Sequence, residues 1–225
     1  MLDVPRSNCR ERQLRRDAQR NRDSIMLAAR DVFAAQGVDA SLEAVARRAG
    51  VAIGTVYRHF PTRIDLIESI FLDKLRSWVE AGEQALAMTD AWDGFTFYLE
   101  RLCSLQAHDR GFNDVASMHL PKAHRLEEAR SSAYDLSCRI VARAQQQGTL
   151  RDDVTAEDIA IFIWANTRII QATRSVAPRA WQRHLGLMLD AFRAERARPL
   201  PEPPMCPAEV CQAMLALGDS GFPGS

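Results

Sequence analysis

No apolar run in these 225 residues approaches the ~20 residues that a membrane span requires; the longest is Ile159 to Ala165. The first 63 residues contain no lysine, and aromatic residues make up only 7% of the chain. There is no Gly-rich phosphate loop, no GxSxG elbow and no HExxH pair. The usual signatures of nucleotide, serine-hydrolase and zinc-hydrolase chemistry are therefore missing, and no catalytic residue or cofactor is assigned. The five cysteines form no disulfide framework: Cys9, Cys103 and Cys138 are scattered, and only Cys206 and Cys211 are near neighbours. His119 and His124 are off the i, i+4 spacing of paired helix ligands, with Pro121 between them, so no metal site is expected. Nor does any segment show the period-two alternation of a strand. The N-terminus is rich in arginine and lacks the apolar core of a secretory leader, so a soluble cytoplasmic chain with no membrane partner is expected.

What is present is uneven in charge. Residues 1–63 hold twelve arginines against seven acids, a net +5, and residues 64–225 carry the balancing −5. A basic head on an acidic body suits nucleic acid at one end and another task at the other.

The stretch SLEAVARRAGVAIGTVYRHFPTR, residues 41–63, is the densest in information. Leu42, Val45, Ala46 and Ala49 fall on one helical stripe, with Ser41 as cap and Gly50 as stop. Val51, Val56 and Phe60 give a second short helix its buried face, and Pro61 ends it. Two short helices about a glycine turn form a helix-turn-helix, whose second helix enters the major groove. Before them, Ile25, Ala29, Val32 and Phe33 mark a helix over about 20–36, stopped by Gly37. After them, Thr62 and Asp65 form a capping box for a fourth helix running to about Gly82.

The rest reads all-helical, with candidate helices at 92–108, 112–118, 121–147, 155–176 and 179–196. Pro121 opens the third of these and Gly148 closes it; Thr155 and Asp158 make another capping box. The domain reading is a flexible basic arm over 1–19, a helix-turn-helix domain over 20–62, an effector and dimerisation body over 63–198, and a tail over 199–225. The tail holds six of the ten prolines, with one short helix from Pro207 to Leu217.

On the second short helix, Ile53, Gly54, Thr55 and Tyr57 project outward as base readers. Arg58, His59, Arg63 and the Ser41 hydroxyl are phosphate candidates. Two readings of Ile53 stay open: contact with a thymine methyl, or a lid on the head's own core. The run AGVAIGTVYRHFPTRIDLI resembles the DNA-binding signature of TetR-type (TetR/AcrR) transcription regulators. The resemblance implies an all-α fold, with a three-helix DNA-binding head joined by a fourth helix to a helical ligand-binding and dimerisation body. It also implies DNA contact at Thr55, Tyr57, His59 and Arg63. Ala52 and Ile53 depart from the pattern, since serine and a polar residue are common there, and Ala52 cannot cap with its side chain.

In the body, Trp181, Leu185, Met188 and Phe192 form a helical stripe. With Phe162 and Ile170 they are the expected dimer interface, a four-helix bundle across a two-fold axis. The middle helices carry the expected effector site: Phe95, Tyr98, Leu102, Phe112, Met118, His119, Tyr134, Trp164, Asn166 and Arg168. The reading is a homodimeric regulator, a repressor rather than an activator. It acts on a near-palindromic double-stranded operator, responds to a small molecule of unknown identity, and is nucleoid-associated when bound. A redox- or metal-responsive regulator on the same scaffold is the alternative.

Overall fold

The computed structural model describes residues 6–107 and 109–221, with side chains left undescribed at 6–11, 14, 110 and 218–221. The described residues form ten α-helices and no strand beyond a lone bridge between Leu150 and Arg193. The helices are α1 (Arg6–Gln36), α2 (Leu42–Ala49), α3 (Ile53–His59), α4 (Arg63–Ala87), α5 (Ala91–Ala107), α6 (Arg110–Ser117), α7 (His124–Gln146), α8 (Ala156–Thr173), α9 (Ala180–Phe192) and α10 (Pro207–Gly221). None is long and apolar enough to cross a membrane.

Local chemistry sets most of the boundaries. Gly37 and Gly50 turn the chain at φ 92° and 69°, a region open to glycine without strain. The Ser41 hydroxyl accepts from the Ala44 amide at 3.1 Å and caps α2. Thr62 and Asp65 cap α4 reciprocally. Several boundaries differ from the sequence reading: α4 runs on to Ala87 rather than ending near Gly82, and α9 ends at Phe192. Helix α7 begins at His124, and Pro121 lies in the turn before it. Residues 6–19, read as a flexible arm, belong to α1. The segment lacks an apolar stripe, but a helix does not require one. Arg, Gln, Glu and Ala favour it, and side-chain bonds one turn apart, Gln13 to Asp17 and Gln19 to Asp23, support it. Residues 1–5 of the expected arm lie outside the described residues.

The head is α1 to α3, closed over Ile25, Ala29, Val32, Phe33, Leu42, Val45, Val56 and Phe60, all buried. In the body α4 packs lengthwise on α7 and α5, and α6 bridges α1 to α8. Two crossings are close enough to demand glycine. A Cβ on Gly111 would meet the Phe71 ring at 2.7 Å and Phe33 Cβ at 2.9 Å, so α6 lies directly on α1 and α4. A Cβ on Gly94 would meet the Ala85 carbonyl oxygen at 2.4 Å, where α5 folds back on α4. Backbone cannot yield as a side-chain tip can. Gly94→Ala is expected to destabilise the protein by roughly 1–3 kcal/mol, the usual range for overpacking, as read by urea titration.

Candidate nucleic-acid interface and body cavity

Helix α3 spends one face on the head core and presents the other. Val56 and Phe60 are fully buried, whereas Tyr57 is 48% exposed, and Ala52, Gly54 and Arg58 are exposed beside it. Gly54 has open space where a Cβ would be. Thr55 and Ile53 are half-buried, and Ile53 packs against the core while part of its side chain stays accessible. Ala52 starts α3 with no side-chain cap.

Three arginines hold this surface together. Arg22 on α1 donates to the His59 carbonyl at 3.2 Å and lies over the Phe60 ring, 4.4 Å from its centroid. This ties the end of α3 to α1, a positioning role that the sequence reading did not assign. Arg63 donates through one nitrogen to the carbonyls of Val38 and Ala40, both at 2.8 Å. Expected at a phosphate, Arg63 thus also clamps the α1–α2 turn. Arg48 pairs with Asp31 at 2.7 Å across α2 and α1. His59 is half-buried, and its Nε2 meets no partner among the described residues. Burial, then the charges of Arg58 and Arg22, lower its pKa.

The body encloses a cavity of about 370 Å³ between α4, α6, α7, α8 and α10. Of the expected effector residues, His119, Tyr134 and Trp164 line it. The others do not. Phe95 and Leu102 are core. Phe112 is buried beneath the Lys74 ammonium, and Met118 packs on the core. Tyr98 stands one layer behind the wall, accepting from Trp78 Nε1 at 2.6 Å and sharing a 2.8 Å bond with Ser137 Oγ. Burial pushes its phenol up to about 12. Asn166 donates to Gln106 inside a buried polar cluster, and Arg168 lines a second, polar cavity with Gln106 and Arg174. Their periodicity identified buried faces; it carried no information on whether space lay behind them.

Residues that the sequence reading passed over complete the wall: Trp78 from α4, Glu127 and Arg130 from α7, Glu157 from α8, Val210 and Met214 from α10. Arg130 donates to the Val115 and Ala116 carbonyls at 2.6 and 3.2 Å, closing the C-terminal end of α6, and lies 3.4 Å from Glu127. Glu127 also takes His119 Nδ1 at 2.7 Å and the Leu120 amide at 2.8 Å. At the other end of α6, Asp109 caps the helix through the Phe112 amide and pairs with Lys74 of α4. Asp114 accepts from the Val38 amide at 3.1 Å in the head. One short helix therefore touches both cavity and head.

The expected dimer stripe faces inward. Phe162, Ile170, Leu185 and Phe192 are buried within this one chain, and Trp181 and Met188 pack on its core. Phe162 meets Phe192 edge-on at 6.4 Å. A stripe of period 3.6 shows that a face is buried without saying by what. The opposite faces are exposed: Ile161, Ala165, Arg168 and Ala172 on α8, and Gly186 and Leu187 on α9.

For the thiols, burial raises Cys103 to about 12 and also raises Cys138, while Cys206 and Cys211 are exposed. Among the described residues, no three His, Cys, Asp or Glu side chains converge as a metal site.

Comparison with known proteins agrees with this geometry. Residues 25–70 match the family described as bacterial regulatory proteins, tetR family, and residues 90–194 match the SbtR-like transcriptional regulator C-terminal domain. The chain belongs to the TetR family. Among relatives, the HTH-type transcriptional regulator SrpR of Pseudomonas putida is 41% identical over 59 residues, which is 26% of this chain and 28% of that protein. The HTH-type transcriptional repressor BepR of Brucella suis biovar 1 is 40% identical over 60 residues, 26% of this chain and 29% of that one. The match thus spans under a third of each of these relatives. A TetR regulator from Streptomyces coelicolor, SCO0520, extends it to the body: TM-score 0.50, 28% identity, 76% of this chain and 98% of that one. These TetR-family relatives are transcription regulators rather than enzymes.

Proposed function

We propose that this TetR-family chain is a sequence-specific DNA-binding transcription regulator. It is a repressor that binds a near-palindromic operator as a homodimer and leaves it when a small molecule enters the body cavity. The outward face of α3 carries this reading. Its other face is consumed by the head core, and what remains is a helix of groove-compatible width bearing Gly54, Thr55, Tyr57 and Arg58. Dimerisation places two such helices roughly 34–36 Å apart, on successive major grooves. The exposed faces of α8 and α9 suit that contact, because Ala165, Ala172 and Gly186 allow close approach while Ile161 and Leu187 supply apolar area.

Release follows from the bridging helices. An effector against Ala116, His119 and Arg130 pushes on the C-terminal end of α6, and one against Trp78 pushes on α4. Both helices contact the head, α6 through Asp114 and Gly111 and α4 through its own first turn. The effector must prefer one of two head spacings, since equal affinity for both shifts nothing.

The test is selection of bound sequences from a randomised duplex pool at two salt concentrations, with molecular mass by light scattering. A two-fold-symmetric motif recovered by a dimer is the expected result. Binding that depends on salt but recovers no motif would sink the proposal.

A further inference from the structure

Glu157 is the unusual group in the cavity wall. It is only 7% exposed, on the second residue of α8, among Trp78, Ile159, Ile163, Trp164, Val210 and Met214. Its carboxylate accepts from the Tyr134 hydroxyl at 2.6 Å. No Lys, Arg or His forms an ion pair with it among the described residues. Burial opposes its ionisation. Hydrogen bonds from Tyr134, from the Thr155 side chain and from its own backbone outweigh burial and hold the carboxyl below its usual range. The Tyr134 phenol is raised in turn by the same bond.

A buried carboxylate without a counter-charge is costly and calls for an explanation. The α8 N-terminus favours an anion nearby, but Asp158 already fills that place, accepting from the Thr155 amide at 2.9 Å. The other charges of the wall are spent. Arg130 is committed to two carbonyls and Glu127, and Glu127 to Arg130 and His119. One negative charge is left over in an apolar cavity with two indole walls.

We propose that the cavity selects ligands with an apolar, ring-sized body and a cationic head such as a protonated or quaternary amine, with Glu157 as counter-charge. Trp78 and Trp164 offer aromatic surface to the same cation. Tyr134, 40% exposed, stands where the site meets solvent and orients the carboxylate. Carboxylates, phosphates and acyl thioesters of anionic carriers are disfavoured, because Glu157 repels them and the Arg130 charge is already paired with Glu127. Helix α10 closes the site with Val210 and Met214, held by the His119 amide donating to the Met214 carbonyl at 3.1 Å. That helix lies beyond residues 90–194, the part matched by the family's C-terminal domain.

The inference rests on the cavity being the effector site, and the test separates the two. Full-length protein is titrated calorimetrically with three probes of one body: (1-naphthylmethyl)trimethylammonium, 1-naphthylmethanol and 1-naphthylacetate. The cation is expected to bind at least about tenfold tighter than the alcohol, with the acetate weakest. In Glu157→Gln, which keeps an acceptor for Tyr134, that advantage is expected to fall to under about threefold. If the alcohol or the acetate binds wild type as tightly as the cation, the cationic class is overturned and the effector cavity stands. A cation preference that survives in Glu157→Gln overturns the assignment to this carboxylate. If no probe binds wild type, the effector reading of the cavity falls, and this inference with it. The wild-type ranking decides the class even if the variant fails to fold.

Discussion

Gly54→Ala is expected to leave a well-folded protein that no longer holds its operator. The position is exposed on α3, and nothing lies within 4 Å of where the new methyl would stand. Its φ is not in the left-handed region, so alanine meets no backbone strain there. A helix-interior glycine costs about 0.5–1 kcal/mol relative to alanine, so the variant is expected to gain stability by up to that amount. The only neighbour that the methyl can obstruct is one absent from the free protein. If α3 lies in a major groove with its backbone close to the DNA, the methyl pushes the helix off, and contacts on both sides weaken. A loss of about tenfold or more per half-site is expected, the scale of one or two lost contacts at roughly 1–3 kcal/mol each. Fluorescence anisotropy on the selected operator, beside a urea melt, reads both quantities. Unchanged affinity in the more stable variant would show that α3 does not approach the DNA at this residue.

Arg130→Met is expected to give the largest loss of stability in the body. The side chain is 13% exposed, and its guanidinium caps two α6 carbonyls while facing Glu127. Burial lowers its pKa, against the opposing pull of the Glu127 carboxylate. Methionine fills the stem's volume but satisfies none of these groups. Two carbonyls lose their donor, and Glu127, itself 17% exposed, keeps only His119 and the Leu120 amide. Breaking a buried pair from one side costs about 3–5 kcal/mol. For a chain of this size that is a fall in Tm on the order of 10 °C. The double variant Arg130→Met with Glu127→Gln is expected to recover part of the loss, because the stranded charge goes too. Equal melting temperatures for the single variant and wild type would show that α6 is held by its packing on Phe33 and Phe71 alone. Operator affinity is expected to fall alongside stability, since α6 also carries the Asp114 bond to Val38 in the head.

The head could be read in advance because its signals are local. Ser41, Gly50, Pro61 and the Thr62–Asp65 box punctuate the chain within a few residues of the elements they delimit. The stripes of α2 and α3 have only one core to face. Arg22 shows the limit of this. In sequence it is one arginine of a basic run, and only the fold brings it against His59 and Phe60, 37 and 38 positions away. The body yielded its helices but not its site. The cavity is assembled from faces of five helices spread between Trp78 and Met214, and the period within each helix does not say which faces meet. The aromatic positions Phe95, Tyr98 and Phe112 carried the right composition and turned out to be packing. Glu157, passed over in the sequence, sits at the start of α8 beside Asp158.

Helix content and the helix-turn-helix were therefore legible in residue order, because capping, glycine turns and amphipathic period act over three to seven residues, and the class of regulator was legible in the resemblance of residues 49–67 to a known family. Which buried faces meet each other, which leave a void between them, and which faces of α8 and α9 stay exposed were settled by packing. Those outcomes depend on how residues far apart in sequence fill a shared volume, and no short-range pattern in the chain encodes that volume.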